Sequence, residues 1–367
     1  MIPYGHQKID SDDINEVVKV LRSNWLTQGP KVDEFENKLA KYCGANYAVA
    51  VSNGTAALHL AYLASGLKKD DEVITTPNTF VATTNMLLAV GAKPVFCDIR
   101  SDTNNIDESK IEQLITPKTR VIVPVHFAGH PCEMKTIWKI AKKYNLLVIE
   151  DAAHALGARY RGKPIGGGQS DMCTLSFHPV KSITTGEGGA IITNNKKYYE
   201  RLKLLRSHGI KKDKNGFNVM KEFGYNYRLS DLQAALGVSQ LKKIEQFIEK
   251  RHELVSLYSK LLKDVDQIIL PQELKDVKSS WHLYVVRVKD KKYRLPLYQY
   301  LLKNKIGVNL HYPCVYKHPY YKKMKIGAVC KIAENYSDTA ITIPLHVVLS
   351  RKDINHVSSK IKAFFFR

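Results

Sequence analysis

The first two-thirds of the chain alternate short apolar runs with amphipathic segments of helical period. Runs rich in Val, Ile and Phe between turn residues predict β-strands. Such runs occur at 47–52, 72–76, 94–99, 120–127, 146–151, 172–177 and 189–193. Helical faces accompany them, one with Val32, Phe35 and Leu39 and another with Met134, Ile137, Ile140 and Ala141. This alternation predicts a largely parallel sheet that helices cover on both faces.

The pattern changes near residue 229, where a long helical stretch runs to about residue 262. The remaining residues read as a smaller α+β unit, whose best strand is the segment 281–288. We therefore expect an α/β protein with a large domain at 1–245 and a smaller C-terminal α+β domain at 246–367.

The composition is that of an ordinary globular protein, with 44% apolar and 25% charged residues. The formal net charge of +21 raises the question of a nucleic-acid partner. The basic residues are spread along the chain and join no nucleic-acid-binding module, so we expect no such partner. A positive field also favours a small anionic substrate.

No apolar run is long enough to cross a bilayer, and the N-terminal residues lack the basic-then-apolar layout of a secretory signal. The six cysteines are scattered without a CxxC pair, which favours neither zinc nor a disulfide framework. His126 and His130 have a zinc-like spacing, but Gly129 and Pro131 break any helix there. We expect a cytoplasmic protein without a metal site or a membrane partner.

Ligands of open parallel sheets bind beyond the carboxyl ends of the strands, so the residues after each strand carry the most information. The first predicted strand is followed by SNGTAALHLA at 52–61. Gly54 allows a tight turn, and Thr55 is a candidate helix cap, so the helix start would present free N–H groups to an anion such as phosphate. A capped helix without a ligand explains this motif equally well.

The fifth predicted strand leads into EDAAHALGA at 150–158. Asp151 ends the strand, and His154 follows three residues later. A carboxylate at this place is suited to binding a metal, to acting as a base, or to pairing with a protonated ring nitrogen. A helix cap is the structural alternative.

The sixth predicted strand leads into SFHPVKSITTGEGGA, which begins at Ser176 and contains His178 and Lys181. A lysine beside a sheet, rather than on a solvated helix, favours a lowered pKa and use as an amine nucleophile. Such a lysine, with an aspartate for the pyridinium nitrogen, is the protein half of pyridoxal-phosphate chemistry. The alternative is a surface lysine in a loop. That alternative is disfavoured because the motifs at 52–61, at 150–158 and around Lys181 follow one another in an order that suits a cofactor site.

These three motifs, together with GYNYRLSDLQAALG at 224–237, resemble the DegT/StrS family of sugar aminotransferases over nearly the whole chain. The resemblance implies the aspartate-aminotransferase-like fold (fold type I), pyridoxal 5'-phosphate as cofactor and a homodimer. The early tyrosine, WLTQG, and RSHG at 206–209 resemble the branch that acts in pseudaminic acid biosynthesis. That branch implies transfer of an amino group from L-glutamate to C4 of a UDP-linked 4-keto-6-deoxy-N-acetyl sugar.

The resemblance also implies roles for individual residues. Lys181 would carry the cofactor as a Schiff base and move protons, Asp151 would hold the pyridinium nitrogen protonated, and His154 would lie near the phenolic oxygen. Phe80 would stack on the ring. The phosphate would be held by Thr55, Ala56 and Ser176, with Asn226 from the partner subunit. The substrate would meet Tyr4, Asn24, Trp25, Leu26, Thr27, His178, Arg228, His311 and Tyr312.

Other functions on the same scaffold remain open. The nearest alternative is an aminotransferase that acts on another keto sugar nucleotide, one that is linked to GDP or dTDP or is aminated at C3. A pyridoxamine-phosphate-dependent sugar dehydratase would have histidine where Lys181 stands, so the lysine argues against it. Lys181 and Asp151 together argue against a non-catalytic binding protein.

Overall fold

The structure, a computed structural model, describes residues 1–366. Over these residues the helices are α1 (Ser11–Leu21), α2 (Pro30–Cys43), α3 (Gly54–Ala64), α4 (Ala82–Ala89), α5 (Met134–Tyr144), α6 (Lys196–Arg206), α7 (Asp231–Leu241), α8 (Ile244–Leu262), α9 (Arg294–Lys303), α10 (Pro319–Lys323), α11 (Lys331–Thr339) and α12 (Arg351–Phe365). The strands are β1 (Tyr47–Val51), β2 (Glu72–Thr75), β3 (Lys93–Phe96), β4 (Thr119–Val123), β5 (Leu147–Asp151), β6 (Arg159–Tyr160), β7 (Lys163–Pro164), β8 (Met172–Ser176), β9 (Gly189–Thr193), β10 (Ile210–Lys212), β11 (Asn218–Met220), β12 (Ile268–Ile269), β13 (Val277–Lys278), β14 (Tyr284–Val288) and β15 (Ala340–Ile343).

The largest sheet within residues 1–366 has seven strands in the order β1-β9-β8-β5-β4-β2-β3. They are the seven predicted apolar runs, and the α/β prediction is confirmed. All neighbours are parallel except β9, which is antiparallel to both β1 and β8. A parallel return requires a crossover, usually a helix. Residues 177–188, which contain Lys181, form turns without a helix, and the chain therefore comes back antiparallel.

Helices cover both faces of this sheet, as predicted. One face packs against α2, α5 and α7 through residues such as Phe35, Ile137 and Val238. The other packs against α3 and α6, for example through Leu60 and Leu205. Loss of water from these apolar surfaces is the main force that holds the layers together.

The C-terminal third has a core of its own, built from α8, α9, α12 and the sheet β12-β14-β15. The predicted helical stretch at 229–262 is divided into α7 and α8. The break falls at Lys242 and Lys243, where the Lys243 ammonium lies 3.0 Å from an Asp13 carboxylate oxygen. The domain boundary at 245–246 falls within the start of α8 and stays a prediction. Over the range 1–366, no helix is long and apolar enough to cross a membrane.

A buried ion pair ties α2 and α6 to β1. The Glu36 carboxylate accepts a hydrogen bond from the Ala50 N–H (2.8 Å) and pairs with the Arg206 guanidinium. Arg206 also donates to the Ala50 carbonyl oxygen (2.8 Å). Burial raises the pKa of Glu36, although Arg206 acts in the opposite direction. Such a pair is costly to break, because removing one partner leaves a buried charge uncompensated.

We predict that Glu36→Ala lowers the free energy of unfolding by about 3–5 kcal/mol, because Arg206 then stays buried without its carboxylate. Urea unfolding followed by circular dichroism, at fixed protein concentration, measures the loss. Glu34→Ala is the control on the same helix. Glu34 pairs with Lys31 and Lys38 near the surface, and its loss should cost about 1 kcal/mol at most. Equal losses in the two variants would contradict the assignment.

Candidate active site

A cleft of about 1000 Å³ lies at the carboxyl-end edge of the large sheet. Its floor is formed by the residues that follow β1, β2, β4, β5 and β8. Its opposite wall is formed by Tyr4 near the N-terminus, by His282, and by residues 309–313. The cleft therefore stands where parallel sheets place their ligands.

The start of α3 opens into this cleft beside Ser176. Asn53 caps the helix, because its side-chain oxygen accepts a hydrogen bond from the Ala56 N–H (2.8 Å). The prediction that Thr55 is the cap is therefore wrong; Thr55 lies inside the first turn. A Cβ added to Gly54 would lie 2.9 Å from the Cβ of Ser176, so only glycine permits this approach. The helix start and the serine hydroxyl together suit a phosphate.

Asp151 ends β5 and is buried at the base of the cleft. One carboxylate oxygen accepts a hydrogen bond from the Thr83 hydroxyl (2.7 Å) and the other from the Ala153 N–H (3.2 Å). The Thr79 hydroxyl lies 2.7 Å from that of Thr83 and extends the network. These donors fix the orientation of the carboxylate toward the cleft.

Lys181 lies in the turn after β8, where its N–H donates to the His178 carbonyl oxygen (2.9 Å). Its side chain opens to the cleft, while the surrounding protein withdraws it from bulk water. Burial lowers the pKa of Lys181 to about 8, and the Asp151 carboxylate partly opposes that effect. About a tenth of this amine is therefore neutral, and so nucleophilic, at pH 7, far more than for a lysine of ordinary pKa.

Three buried histidines surround the amine. Burial lowers the pKa of His154 and of His282 well below the usual range, and lowers that of His311 to about 4. The Lys181 charge acts in the same direction on all three. His154 Nε2 lies 3.2 Å from the Tyr312 hydroxyl. Neutral imidazoles thus line the wall next to Lys181.

The structure brings most of the predicted site residues into this one cleft. Those lining it are Tyr4, Thr55, Ala56, Phe80, Asp151, His154, Ser176, His178, Lys181, His311 and Tyr312. Those outside it are Asn24, Trp25, Leu26, Thr27, Asn226 and Arg228. Leu26 and Thr27 lie beside Ser230 and Asp231, since the Asp231 N–H donates to the Leu26 carbonyl oxygen (3.0 Å) and Thr27 bridges to Ser230. Asn226 bridges to Ser207 and Arg228 to Val51. Their individual roles stay predictions.

Several lining residues were not identified from the sequence, namely Asn53, Thr79, Thr83, Glu187, Tyr227, His282, Asn309 and His318. Asn53 could have been identified from the sequence, since asparagine directly before a helix is a preferred cap. His282 and Asn309 come from the C-terminal third, and only tertiary packing brings them to the sheet edge.

The two histidines with metal-like spacing serve structural hydrogen bonds. His126 Nε2 lies 2.7 Å from a Glu150 oxygen, and its Nδ1 accepts from the Cys132 N–H (3.0 Å). His130 Nε2 accepts from the Leu274 N–H (3.3 Å). In the part of the chain that the structure describes, no group of three His, Cys, Asp or Glu residues is placed to hold a metal.

The site fits pyridoxal phosphate in each of its parts. The start of α3 with Ser176 suits the phosphate, Asp151 suits a protonated ring nitrogen, and Lys181 offers an amine of lowered pKa. His154 Nδ1 is buried without a hydrogen-bond partner among residues 1–366, so this nitrogen remains available to a ligand. Fold and cleft together define a pyridoxal-phosphate-dependent transferase of fold type I.

Comparison with known proteins agrees with this class. The chain belongs to the DegT/DnrJ/EryC1/StrS aminotransferase family, whose sequence profile matches residues 7–362. It is 44% identical over 363 residues to the UDP-4-amino-4,6-dideoxy-N-acetyl-beta-L-altrosamine transaminase of Campylobacter jejuni, covering 97% of this chain and 96% of that protein.

Solved structures share the whole fold. Helicobacter pylori PseC, an aminotransferase involved in the biosynthesis of pseudoaminic acid, superposes with a TM-score of 0.95 at 35% identity, over 100% of this chain and 99% of that one. The PLP form of the putative sugar aminotransferase Spr1654 from Streptococcus pneumoniae gives 0.93 at 31% identity, over 99% and 98%. The predicted fold type is confirmed.

We predict that Lys181 of the cofactor-free protein titrates with a pKa near 8, as competitive acetylation at graded pH and peptide mass spectrometry would report. Asp151→Asn should lower this pKa further, because the carboxylate favours the charged ammonium. Lys93 is the control, because Asp70 at the surface raises its pKa and Asp151 is not involved. A Lys181 that titrates together with Lys93 would show that the cleft does not withdraw it from water.

Proposed function

We propose that this protein is a pyridoxal-phosphate-dependent aminotransferase that moves an amino group from L-glutamate to C4 of a UDP-linked 4-keto-6-deoxy-N-acetyl sugar, in pseudaminic acid biosynthesis. The observation that carries the proposal is the meeting of Lys181, Asp151 and the start of α3 in one cleft. The choice of a UDP sugar is supported by the relatives named for such a substrate.

The cofactor, when bound, supplies an electron sink for the negative charge that develops at the donor's α-carbon. Asp151, held by Thr83 and the Ala153 N–H, would keep the ring nitrogen protonated. Thr55, Ala56 and Ser176 would bind the phosphate. Phe80, exposed at the cleft, would contact the ring.

Lys181 has two tasks in this reaction, to anchor the cofactor and then, once released, to move a proton. Its Nζ takes the proton from the donor's α-carbon. The neighbouring histidines are poor competitors for that proton, because burial keeps His154, His282 and His311 neutral at neutral pH. Its own lowered pKa suits a group that both takes and returns a proton.

The acceptor carries a diphosphate, which calls for cationic or N–H donors. Among the described residues that line the cleft there is no arginine, and Lys181 is committed to the chemistry. His178 is exposed and His318 half-buried at the cleft, so both are open to an anion. A strongly basic chain also draws diphosphates toward it. We infer that a cationic side chain of a neighbouring subunit completes the diphosphate site.

A homodimer with shared sites would supply it. Alternate residues of an extended segment face opposite sides. Tyr227 lines the cleft of its own subunit, whereas Asn226 and Arg228 do not. The adjoining hairpin β10–β11 exposes Phe217 and Met220, and Phe223 is exposed just after it; a partner subunit would cover these side chains.

We place the reaction in the cytoplasm. All six cysteines are free and buried, as expected for side chains that only pack, and none forms a disulfide. This usage suits a reducing compartment.

We predict that the protein, given L-glutamate, aminates a UDP-linked 4-keto-6-deoxy-N-acetyl hexose at C4 in preference to GDP- and dTDP-linked keto sugars. Mass spectrometry detects the product, and NMR assigns the aminated carbon. Lys181→Ala, which removes both anchor and proton carrier, should fold and show only background turnover. Efficient amination of the GDP or dTDP compound, with none of the UDP compound, would overturn the substrate assignment.

We predict that Asn226→Ala and Lys181→Ala proteins, each crippled alone, regain activity when they are unfolded and refolded together. A mixed dimer with shared sites holds one site with both defects and one site with neither. Light scattering first establishes the dimer, and differently tagged subunits show that mixed dimers form. If mixed dimers form without recovery, Asn226 acts within its own subunit.

A further inference from the structure

Arg251, on α8, is a cation buried without a carboxylate partner in the described part of the chain. Only 2% of its surface is exposed. Burial lowers the pKa of Arg251 to about 10. Its Nη1 donates to three backbone carbonyl oxygens, those of Trp281 (3.0 Å), His282 (3.3 Å) and Leu345 (3.1 Å). Burying a guanidinium is costly, and these charge-assisted hydrogen bonds are what offsets the cost.

The three carbonyls belong to two segments, one that lines the cleft through His282 and one that lies behind Tyr4. Residues 279–283 carry His282, and in the same segment the Ser280 hydroxyl donates to the His154 carbonyl oxygen (2.8 Å). In the other segment the Leu345 N–H donates to the Tyr4 carbonyl oxygen (3.1 Å). One buried guanidinium therefore fastens the backbone behind His282, directly, and behind His154 and Tyr4, each through one further hydrogen bond.

The packing around these segments leaves little room for adjustment. A Cβ on Gly129 would lie 2.3 Å from the Ser280 hydroxyl oxygen and 3.0 Å from the His282 backbone nitrogen. The rings of His154 and His282 are only 4.4 Å apart, centroid to centroid. His282 Nδ1 is buried without a hydrogen-bond partner among residues 1–366. A shift of the 279–283 backbone would thus move both rings relative to Lys181.

We propose that Arg251 is a positioning residue for transamination, acting mainly through His282, which lines the cleft. This inference rests on the proposed aminotransferase function. Arg251 itself lies behind the wall and touches no reacting group. All three hydrogen bonds come from Nη1, which a rigid planar group holds between the two segments, whereas a lysine ammonium ends a flexible stem.

The test compares Arg251→Met and Arg251→Lys with the parent, with activity expressed per cofactor-bearing site. We expect kcat to fall about 100-fold in Arg251→Met, since a displacement of about 1 Å costs that much, while KM changes little. Arg251→Lys should recover part of the loss. His282→Asn should lower kcat to a similar extent, and the double variant should be no worse than the single ones, because both act through one ring.

A second readout needs no activity. In the cofactor-free protein, deuterium exchange at the imidazole C2 position, read by mass spectrometry, reports solvent access to each histidine. We expect faster exchange at His282 and His154 in both Arg251 variants than in the parent. Tyr258→Phe is the matched control. It removes a buried hydrogen bond (2.9 Å) from the same helix to the carbonyl next to Leu345, that of Pro344, and should leave both readouts at the parent's values.

Unchanged kcat and unchanged histidine exchange in a folded Arg251→Lys protein would overturn the proposal, as would additive losses for Arg251 and His282. If Arg251→Met does not fold, Ser280→Ala, which cuts the link to the His154 carbonyl, must show the faster exchange at His154. Failure of the proposed function is separate. If the parent protein aminates no keto sugar, the kinetic comparison is not possible. The deuterium-exchange measurement still decides whether Arg251 positions His282.

Discussion

The withdrawal of Lys181 from water, opposed by the carboxylate of Asp151, is the interaction on which the rest of the site depends. Burial favours a neutral amine and the carboxylate favours an ammonium, and the balance leaves the pKa near 8. An amine held there is available both to form a bond and to exchange a proton. Further charge beside it would upset the balance, and the three histidines around it are kept neutral by their own burial.

The sheet makes this balance possible, because it brings separate pieces of chain to one edge. The carboxyl ends of β1, β5 and β8 supply the phosphate site, the carboxylate and the lysine. The chain returns to β9 without a helix, so Lys181 lies in the turns of residues 177–188. The wall opposite is brought by the C-terminal third. Its backbone is fastened from behind by a buried cation rather than from within the cleft, so the wall can be rigid and still present uncharged side chains.

The local pattern of apolar and polar residues was sufficient to predict the central sheet and the motifs at its edge. Buried strands have continuous apolar runs, and the candidate site residues follow these runs directly. The cap at Asn53 was assigned to Thr55 because both residue types cap helices, and the hydrogen bond from the Ala56 N–H to the Asn53 side chain decides between them. Thr83 could not be identified from the local sequence, since its role arises from a hydrogen bond between α4 and Asp151 at the end of β5. His282 and Arg251 are brought to the site by packing between residues far apart in the chain, which the local sequence pattern does not predict. Residues 24–27, Asn226 and Arg228 do not line the cleft of their own chain, so the roles predicted for them stay predictions.

The most direct test of the central claim is chemical trapping. The purified protein, loaded with pyridoxal phosphate, is reduced with borohydride, digested and mapped by tandem mass spectrometry. The account predicts one stable pyridoxyl group per chain, on Lys181, and its disappearance in Lys181→Ala. A label on another lysine, or one scattered over many surface lysines with Lys181 unmodified, would contradict the account.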